Sequence, residues 1–223
     1  MKLHPTEAVL YATLLALLGY GVYLAQYDAG GFVELVADGG PLSWMTTALL
    51  TIAAVVLLVR MLRYGGLHGA RWWIGHLLLI GLVVVIGGEN VRWGDGYHPY
   101  ETIDIIDLPD VSEELTQRTV QVENRAYSYD IVLQVLLVVS VLIALVLPWL
   151  YRRSPGYRRL VDGWGIPVLT IMQGLVLLVL LGSLFAMPVV ERWRLLLFGL
   201  SVVVLAVVAF PYNRAGLTRE AAP

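Results

Sequence analysis

The sequence predicts an all-α integral membrane protein, a bundle of six transmembrane helices with one polar extracytoplasmic loop. Two observations predict this class. First, 58% of the 223 residues are apolar, and the mean hydropathy is +0.74. Second, only 14% are charged, against about 25% in a typical soluble domain. The apolar residues form six stretches near the length of about 20 that a spanning helix needs. The length leaves no room for a separate soluble domain beside six spans.

The six predicted spans cover residues 7–26, 44–62, 72–88, 129–150, 164–187 and 193–210. The first is interpreted as an uncleaved span, because its apolar run is long and Gln26-Tyr27-Asp28 offers no small-residue cleavage site. Between the first two spans, residues 32–36 are mostly apolar and lie between two glycine pairs. This pattern predicts a short interfacial turn.

Basic residues indicate the orientation of the bundle. With six spans, the second and fourth connections share one face, and they contain seven arginines, Arg60, Arg63, Arg71, Arg152, Arg153, Arg158 and Arg159. Lys2, Arg214 and Arg219 belong to the same face. Short loops rich in Lys and Arg remain cytoplasmic. The sequence therefore predicts a bacterial inner-membrane protein with both termini in the cytoplasm. Only Arg192 and Arg194 lie in a connection that does not follow the pattern.

The third connection, residues 89–128, is the one substantial polar region and is strongly acidic. Asp110 followed by Glu113 is close to a capping box, which marks the start of a helix. Apolar or aromatic residues then recur at helical spacing, at Val111, Leu115, Val122, Ala126 and Tyr129. We expect an amphipathic helix over about 111–127 in an extracytoplasmic loop.

The candidate site is an outer pocket where both ends of this loop reach the membrane. At 1.5 Å per residue, Glu89 lies about 27 Å beyond Arg71, near the opposite hydrocarbon boundary. The candidate residues are Glu89, Arg92, Trp93, Gln121, Glu123 and Arg125. They would bind a polar headgroup, or one carboxylate would act as an acid or base. The favoured alternative is that they form ion pairs that pin the loop to the bundle.

Metal and cofactor signals are weak. Asp104, Asp107 and Asp110 are the weak candidates for calcium, but their spacing differs from that of an EF-hand, and a solvated acidic loop is favoured. The chain has no cysteine, which excludes thiolate metal sites, disulfides and cysteine nucleophiles. No two of the four histidines face each other as haem would require. We therefore predict no cofactor and no resident metal, and expect His76 to be hydrogen-bonded within the bundle.

Charge within the predicted spans is nearly absent, which argues against an ion pump or a voltage sensor. The mid-depth polar residues are Ser140, Thr170, Gln173 and Ser201. Of these, Gln173 is expected to hydrogen-bond across helices.

The loop resembles one family of sequences. The segment Gly88-Glu89-Asn90-Val91-Arg92-Trp93-Gly94-Asp95 is similar to the G-E-E-x-S-W-G-Q segment of uncharacterised bacterial polytopic membrane proteins. Thr119-Val120-Gln121-Val122-Glu123 resembles the first half of their later N-x-Q-x-E-x-x-x-H-N segment. The match covers about a fifth of the chain. Asn90 stands where the family has a second carboxylate. Tyr127 stands near the position of the family's histidine. The resemblance implies a membrane topology and an important loop, and it implies no reaction.

The predicted function is that of a binding or accessory membrane protein. It would recognise a lipid, a lipid-linked glycan or a partner subunit through the extracytoplasmic loop. The alternative is a membrane-embedded enzyme with Glu89 or Glu123 as acid or base. Expected partners are membrane lipids, with a membrane-protein partner or a second copy left open. The net charge of −2 lacks the basic face that nucleic acid requires.

Overall fold

The computed structural model describes residues 4–37, 40–90, 142–184 and 192–218, and their regular structure is helical. The α-helices are α1 Pro5–Tyr27, α2 Ala29–Val36, α3 Pro41–Tyr64, α4 Ala70–Asn90, α5 Leu147–Arg153, α6 Pro155–Gly163, α7 Ile171–Leu184, α8 Arg192–Ala209 and α9 Arg214–Thr218. A 3₁₀ turn, Gly65–Leu67, joins α3 to α4, and a π-helical turn, Leu142–Val146, leads into α5. The predicted helix over 111–127 lies outside the described residues.

Within the described residues, three helices are long and apolar enough to cross a membrane. They are α1, α4 and α3, the last of which lies in the apolar sequence from Gly30 to Leu67. Two shorter apolar helices cover Ile171–Ser183 and Arg194–Ala209. The all-α class is therefore confirmed in the described part of the chain, and three of its helices have the length and apolar composition of membrane spans. Most of the predicted fourth span lies outside it, so the count of six remains a prediction.

The core forms where α1, α2, α7 and α8 meet. Its most deeply buried side chains include Leu14, Phe32, Leu180, Leu195 and Phe198. Two glycines permit close approach: a Cβ on Gly21 would lie 2.7 Å from Leu195, and one on Gly199 would lie 2.3 Å from Leu180. The α3–α4 hairpin packs against this core through α8.

The predicted start of the fifth span at Trp164 is wrong, because α7 begins at Ile171. Gly165 adopts a left-handed backbone (φ +65°), and Pro167 lacks an N–H group, so residues 164–170 do not continue a helix. A capping box follows: the Gln173 N–H donates to Thr170 Oγ1 (3.2 Å), and the Thr170 N–H donates to Gln173 Oε1 (2.8 Å). Thr170 and Gln173 therefore lie at the start of α7 and not inside a helix that continues from Trp164.

Other predicted boundaries shift by a few residues. Helix α4 continues through Gly87 and Gly88 to Asn90, beyond its predicted end. The predicted interfacial turn is an eight-residue helix, α2, whose first turn includes Gly30 and Gly31. Asp28 caps it, because the Gly31 N–H donates to Asp28 Oδ1 (2.9 Å).

The helices give the molecule two chemically different ends. The Arg153 end contains the C-termini of α3, α5 and α8 and the N-termini of α1, α4 and α7. Arg60 donates to Val208 O, and Arg152 lies 4.8 Å from the Tyr212 ring, so arginines distant in sequence gather there. The Asn90 end contains α2, the start of α3 and the end of α4. Arg194 is at this end, where it donates to Val36 O (2.9 Å).

Candidate functional site

Asn90 forms a clamp between the ends of α3 and α4. Its Nδ2 group donates to Ser43 O (2.7 Å), Thr47 Oγ1 (3.0 Å) and Ser43 Oγ (3.1 Å). Ser43 Oγ in turn donates to Asn90 O (3.0 Å), and Thr47 Oγ1 donates to Gly87 O (3.3 Å). These bonds supply partners to the last carbonyls of α4, which have none within the helix. The clamp therefore fixes the end of α4 against the start of α3.

The predicted outer pocket begins at this clamp. Glu89 belongs to α4 and immediately precedes Asn90. Its predicted neighbours Arg92, Trp93, Gln121, Glu123 and Arg125 lie outside the described residues, as do Asp104, Asp107 and Asp110. Among residues 4–37, 40–90, 142–184 and 192–218, no group of three or more histidine, aspartate or glutamate side chains is placed to hold a metal ion.

Ser43 and Thr47 were not selected from the sequence, although a signal was present. The two hydroxyl residues are four positions apart, which puts them on the same face of α3. Asn90 joins these two hydroxyl groups to the end of α4. Here its amide donates hydrogen bonds, which a carboxylate in the same position would be unable to do.

A second polar cluster is buried at the Arg153 end between α1, α7 and α8. Glu7 is only 6% exposed, and its Oε1 accepts hydrogen bonds from Tyr11 Oη (2.7 Å) and Gln173 Nε2 (3.1 Å). Gln173 Nε2 also donates to Ala206 O (3.2 Å) and Phe210 O (3.1 Å). The prediction that Gln173 bonds across helices is confirmed. Glu7 was predicted only as the first residue of a span, and it is instead a buried acceptor that Tyr11 and Gln173 satisfy.

Three aromatic rings stack along the start of α4. The His68 and Trp72 centroids are 4.6 Å apart, and the Trp72 and His76 centroids are 3.7 Å apart. His76 is fully buried, and its Nδ1–H donates to Trp72 O (3.2 Å), which confirms the predicted hydrogen bond but places it within one helix. A Cβ on Gly165 would lie 2.5 Å from the His76 ring, so this stack requires glycine there.

A third cluster holds α5 and α6 against the segment after α8. Tyr151 Oη donates to both Asp162 oxygens (3.0 Å each), and Asn213 Nδ2 donates to Asp162 Oδ1 (2.8 Å). Burial raises the pKa of the Tyr151 phenol, and its hydrogen bond to Asp162 raises this pKa further. Asn213 Oδ1 also accepts from the Val168 N–H (2.9 Å). The contacts orient the last turn of α5, which carries Arg152 and Arg153.

Two grooves lie on the surface of the described helices. One, of about 390 Å³, runs between α3 and α4 and is almost wholly apolar. The other, of about 360 Å³, runs between α5 and α7 and has Arg152 and Arg153 at one end. The sequence pattern marks these two arginines as indicators of orientation and does not reveal the groove. Comparison of the chain with protein-family models, curated proteins and solved structures gave no match.

Proposed function

We propose that this chain is a binding or accessory component of a bacterial inner membrane. It recognises a lipid, a lipid-linked glycan or a partner subunit through the extracytoplasmic loop that follows α4. The observation that supports this proposal is the Asn90 clamp. A binding loop needs a rigid base, because ordering a mobile segment on binding reduces the affinity. Asn90, Ser43 and Thr47 provide such a base.

The proposal includes the complete predicted topology. Six helices cross the membrane, both termini lie in the cytoplasm, and the loop contains an amphipathic helix over about 111–127. The grouping of arginines at the Arg153 end supports this orientation, since basic residues accumulate on the cytoplasmic side. The resemblance of residues 88–95 to a family of bacterial membrane proteins adds support for the importance of the loop.

Site-specific photo-crosslinking in native membranes tests the function. A photoreactive residue at position 93 is expected to capture one defined lipid class or protein. The same residue at position 66, at the opposite end of the molecule, is expected to capture only bulk lipid. Asn90→Leu removes the amide donors at similar size, so we expect the yield at position 93 to fall severalfold. Thr51→Val is the matched control, because the partner of Thr51 Oγ1 among the described residues is Thr47 O in its own helix (2.8 Å).

Bulk lipid alone at position 93, or an equal loss of yield in both variants, would contradict the proposal. The same assay separates binding from the enzymatic alternative. If Glu89 or Glu123 is an acid or base, Glu89→Gln or Glu123→Gln changes the chemical identity of the captured molecule from product to substrate. If the loop only binds, these variants change the yield and leave the captured molecule the same.

A further inference from the structure

The groove between α5 and α7 combines an apolar floor with a cationic end. Leu145 and Trp149 form one wall, and Ile171, Leu175 and Leu178 form the other. Leu145 and Trp149 are each 53% exposed, and Leu175 is 52% exposed. A concave strip of this kind accommodates an extended hydrocarbon chain better than a flat helix face does, because its walls contact the chain on two sides.

The guanidinium groups of Arg152 and Arg153 lie over aromatic rings. The Arg152 group is 4.8 Å from the Tyr212 centroid, and the Arg153 group is 5.4 Å from the Trp149 centroid. A ring attracts the cation through its π-face without cancelling its charge, so the N–H groups remain able to donate to an anion. Neither guanidinium forms an ion pair with a carboxylate of the described residues.

Neighbouring contacts fix the direction of the α5 terminus. Arg158 donates from Nε to Tyr151 O (3.4 Å) and from Nη2 to Arg152 O (3.5 Å), which provides partners for the last carbonyls of α5. Arg158 therefore stabilises the helix end. The Tyr151–Asp162 bonds fix the same turn from the other side.

We propose that this groove binds an anionic phospholipid, with its phosphate at Arg152 and Arg153 and an acyl chain against Leu145, Leu175 and Leu178. Charge complementarity selects the occupant. A free phosphate would use the arginines and leave the apolar walls uncovered, and a zwitterionic lipid would bring its own ammonium group close to two cations, which repel it. Basic pockets between membrane helices commonly hold acidic headgroups in this way. Trp149 lies beside the cation, where an indole ring prefers the headgroup level.

Fluorescence quenching of Trp149 tests the proposal in the full chain. The protein is reconstituted with phosphatidylglycerol or phosphatidylcholine that carries brominated acyl chains. The Trp149 signal is the difference between the wild type and Trp149→Phe. Brominated phosphatidylglycerol is expected to quench this signal at a lower mole fraction than brominated phosphatidylcholine does.

The double variant Arg152→Gln/Arg153→Gln is expected to lower this preference about tenfold or more, the order expected for two arginines at an anionic surface. Arg63→Gln/Arg71→Gln is the matched control, since it removes two exposed arginines from the same end of the molecule. It should lower the preference by less than about threefold. An equal effect of the two double variants would show diffuse surface charge only, and would overturn the proposal.

Leu175→Trp keeps both arginines and fills the groove, and it provides a second test if the double arginine variant does not fold. The Trp149 signal of this variant is again the difference from the same variant with Trp149→Phe. We expect this signal to show no preference for brominated phosphatidylglycerol. Two further results would overturn the proposal. Inorganic phosphate that fully displaces the lipid would indicate a phosphate site. No quenching by either brominated lipid would indicate that protein, from residues 91–141 or from a second copy, covers the groove.

Discussion

One amide side chain, Gln173, joins three helices at the Arg153 end. Its Nε2 group faces a carboxylate oxygen of Glu7 and the carbonyl oxygens of Ala206 and Phe210, while its Oε1 accepts the Thr170 N–H. Glutamine provides both a donor and an acceptor, and this site uses both. The residue therefore completes the cap of α7 and holds α1 and α8 against it.

We predict that Gln173→Leu lowers the free energy of unfolding in detergent by about 1–3 kcal/mol, because a buried carboxylate oxygen and two carbonyls lose a donor. Single interhelical hydrogen bonds in membranes contribute about 0.6 kcal/mol on average. A loss above about 1 kcal/mol would therefore show that one Nε2 group stabilises several acceptors at once. Thermal unfolding measures the change. Ser201→Ala is the control, because its buried hydroxyl donates to Phe198 O in its own helix (2.6 Å) and to no other described residue. Equal small losses in both variants would show that the Gln173 contacts contribute little.

At the scale of elements, the turn between α6 and α7 packs unusually closely against α4. A Cβ on Gly75 would lie 1.9 Å from Trp164 O, a backbone atom that is unable to rotate away. A Cβ on Gly165 would meet both His76 and Trp72. Helix α4 is thus fixed at both ends, by glycine contacts at the Arg153 end and by the Asn90 clamp at the other.

Gly75→Ala should therefore destabilise the protein by about 2 kcal/mol, within the range for overpacking a dense interface. Gly81→Ala in the same helix is the matched control, since no atom of another described residue lies within 4 Å of its Cβ position. We expect this variant to stay within about 0.5 kcal/mol of the wild type. Chemical or thermal unfolding of the two variants side by side gives the difference. Indistinguishable stabilities would contradict the close approach of Trp164 to α4.

At the scale of the whole molecule, the two ends differ in charge and in structure. His4 stacks on Phe210 (4.8 Å), and Gly216 lies beside Asp162, so residues from the start and the end of the chain lie at the Arg153 end. The proposed lipid groove is at this end, and the proposed recognition loop starts at the other. The proposal thus assigns lipid binding to the Arg153 end and recognition of a ligand or partner to the Asn90 end.

Cysteine labelling tests the orientation, because the chain has no cysteine of its own. Gly66→Cys and Gly156→Cys place exposed thiols at the Arg153 end, and Glu34→Cys places one at the Asn90 end. In intact cells, an impermeant maleimide should label position 34 and should label positions 66 and 156 only after the membrane is opened. Labelling of position 156 in intact cells would reverse the proposed topology.

Hydropathy along the chain was sufficient to predict the all-α class and the positions of the longest helices. The predicted spans at 7–26, 72–88 and 193–210 lie within a few residues of α1, α4 and α8, because hydropathy and helix length are local properties of a chain. The start of α7 also has a local signal, because Thr170 and Gln173 form a capping box. The apolar stretch that begins at Trp164 obscured this signal.

The contacts between polar residues, in contrast, depend on how the helices pack together. Asn90 bonds to a residue 47 positions away, and Glu7 bonds to one 166 positions away, and no periodic pattern relates such partners. The groove beside Arg152 and Arg153 likewise depends on how α5 and α7 pack, since side chains from both helices form its walls. Hydropathy averages over neighbours along the chain, whereas clamps and grooves arise from contacts between distant segments.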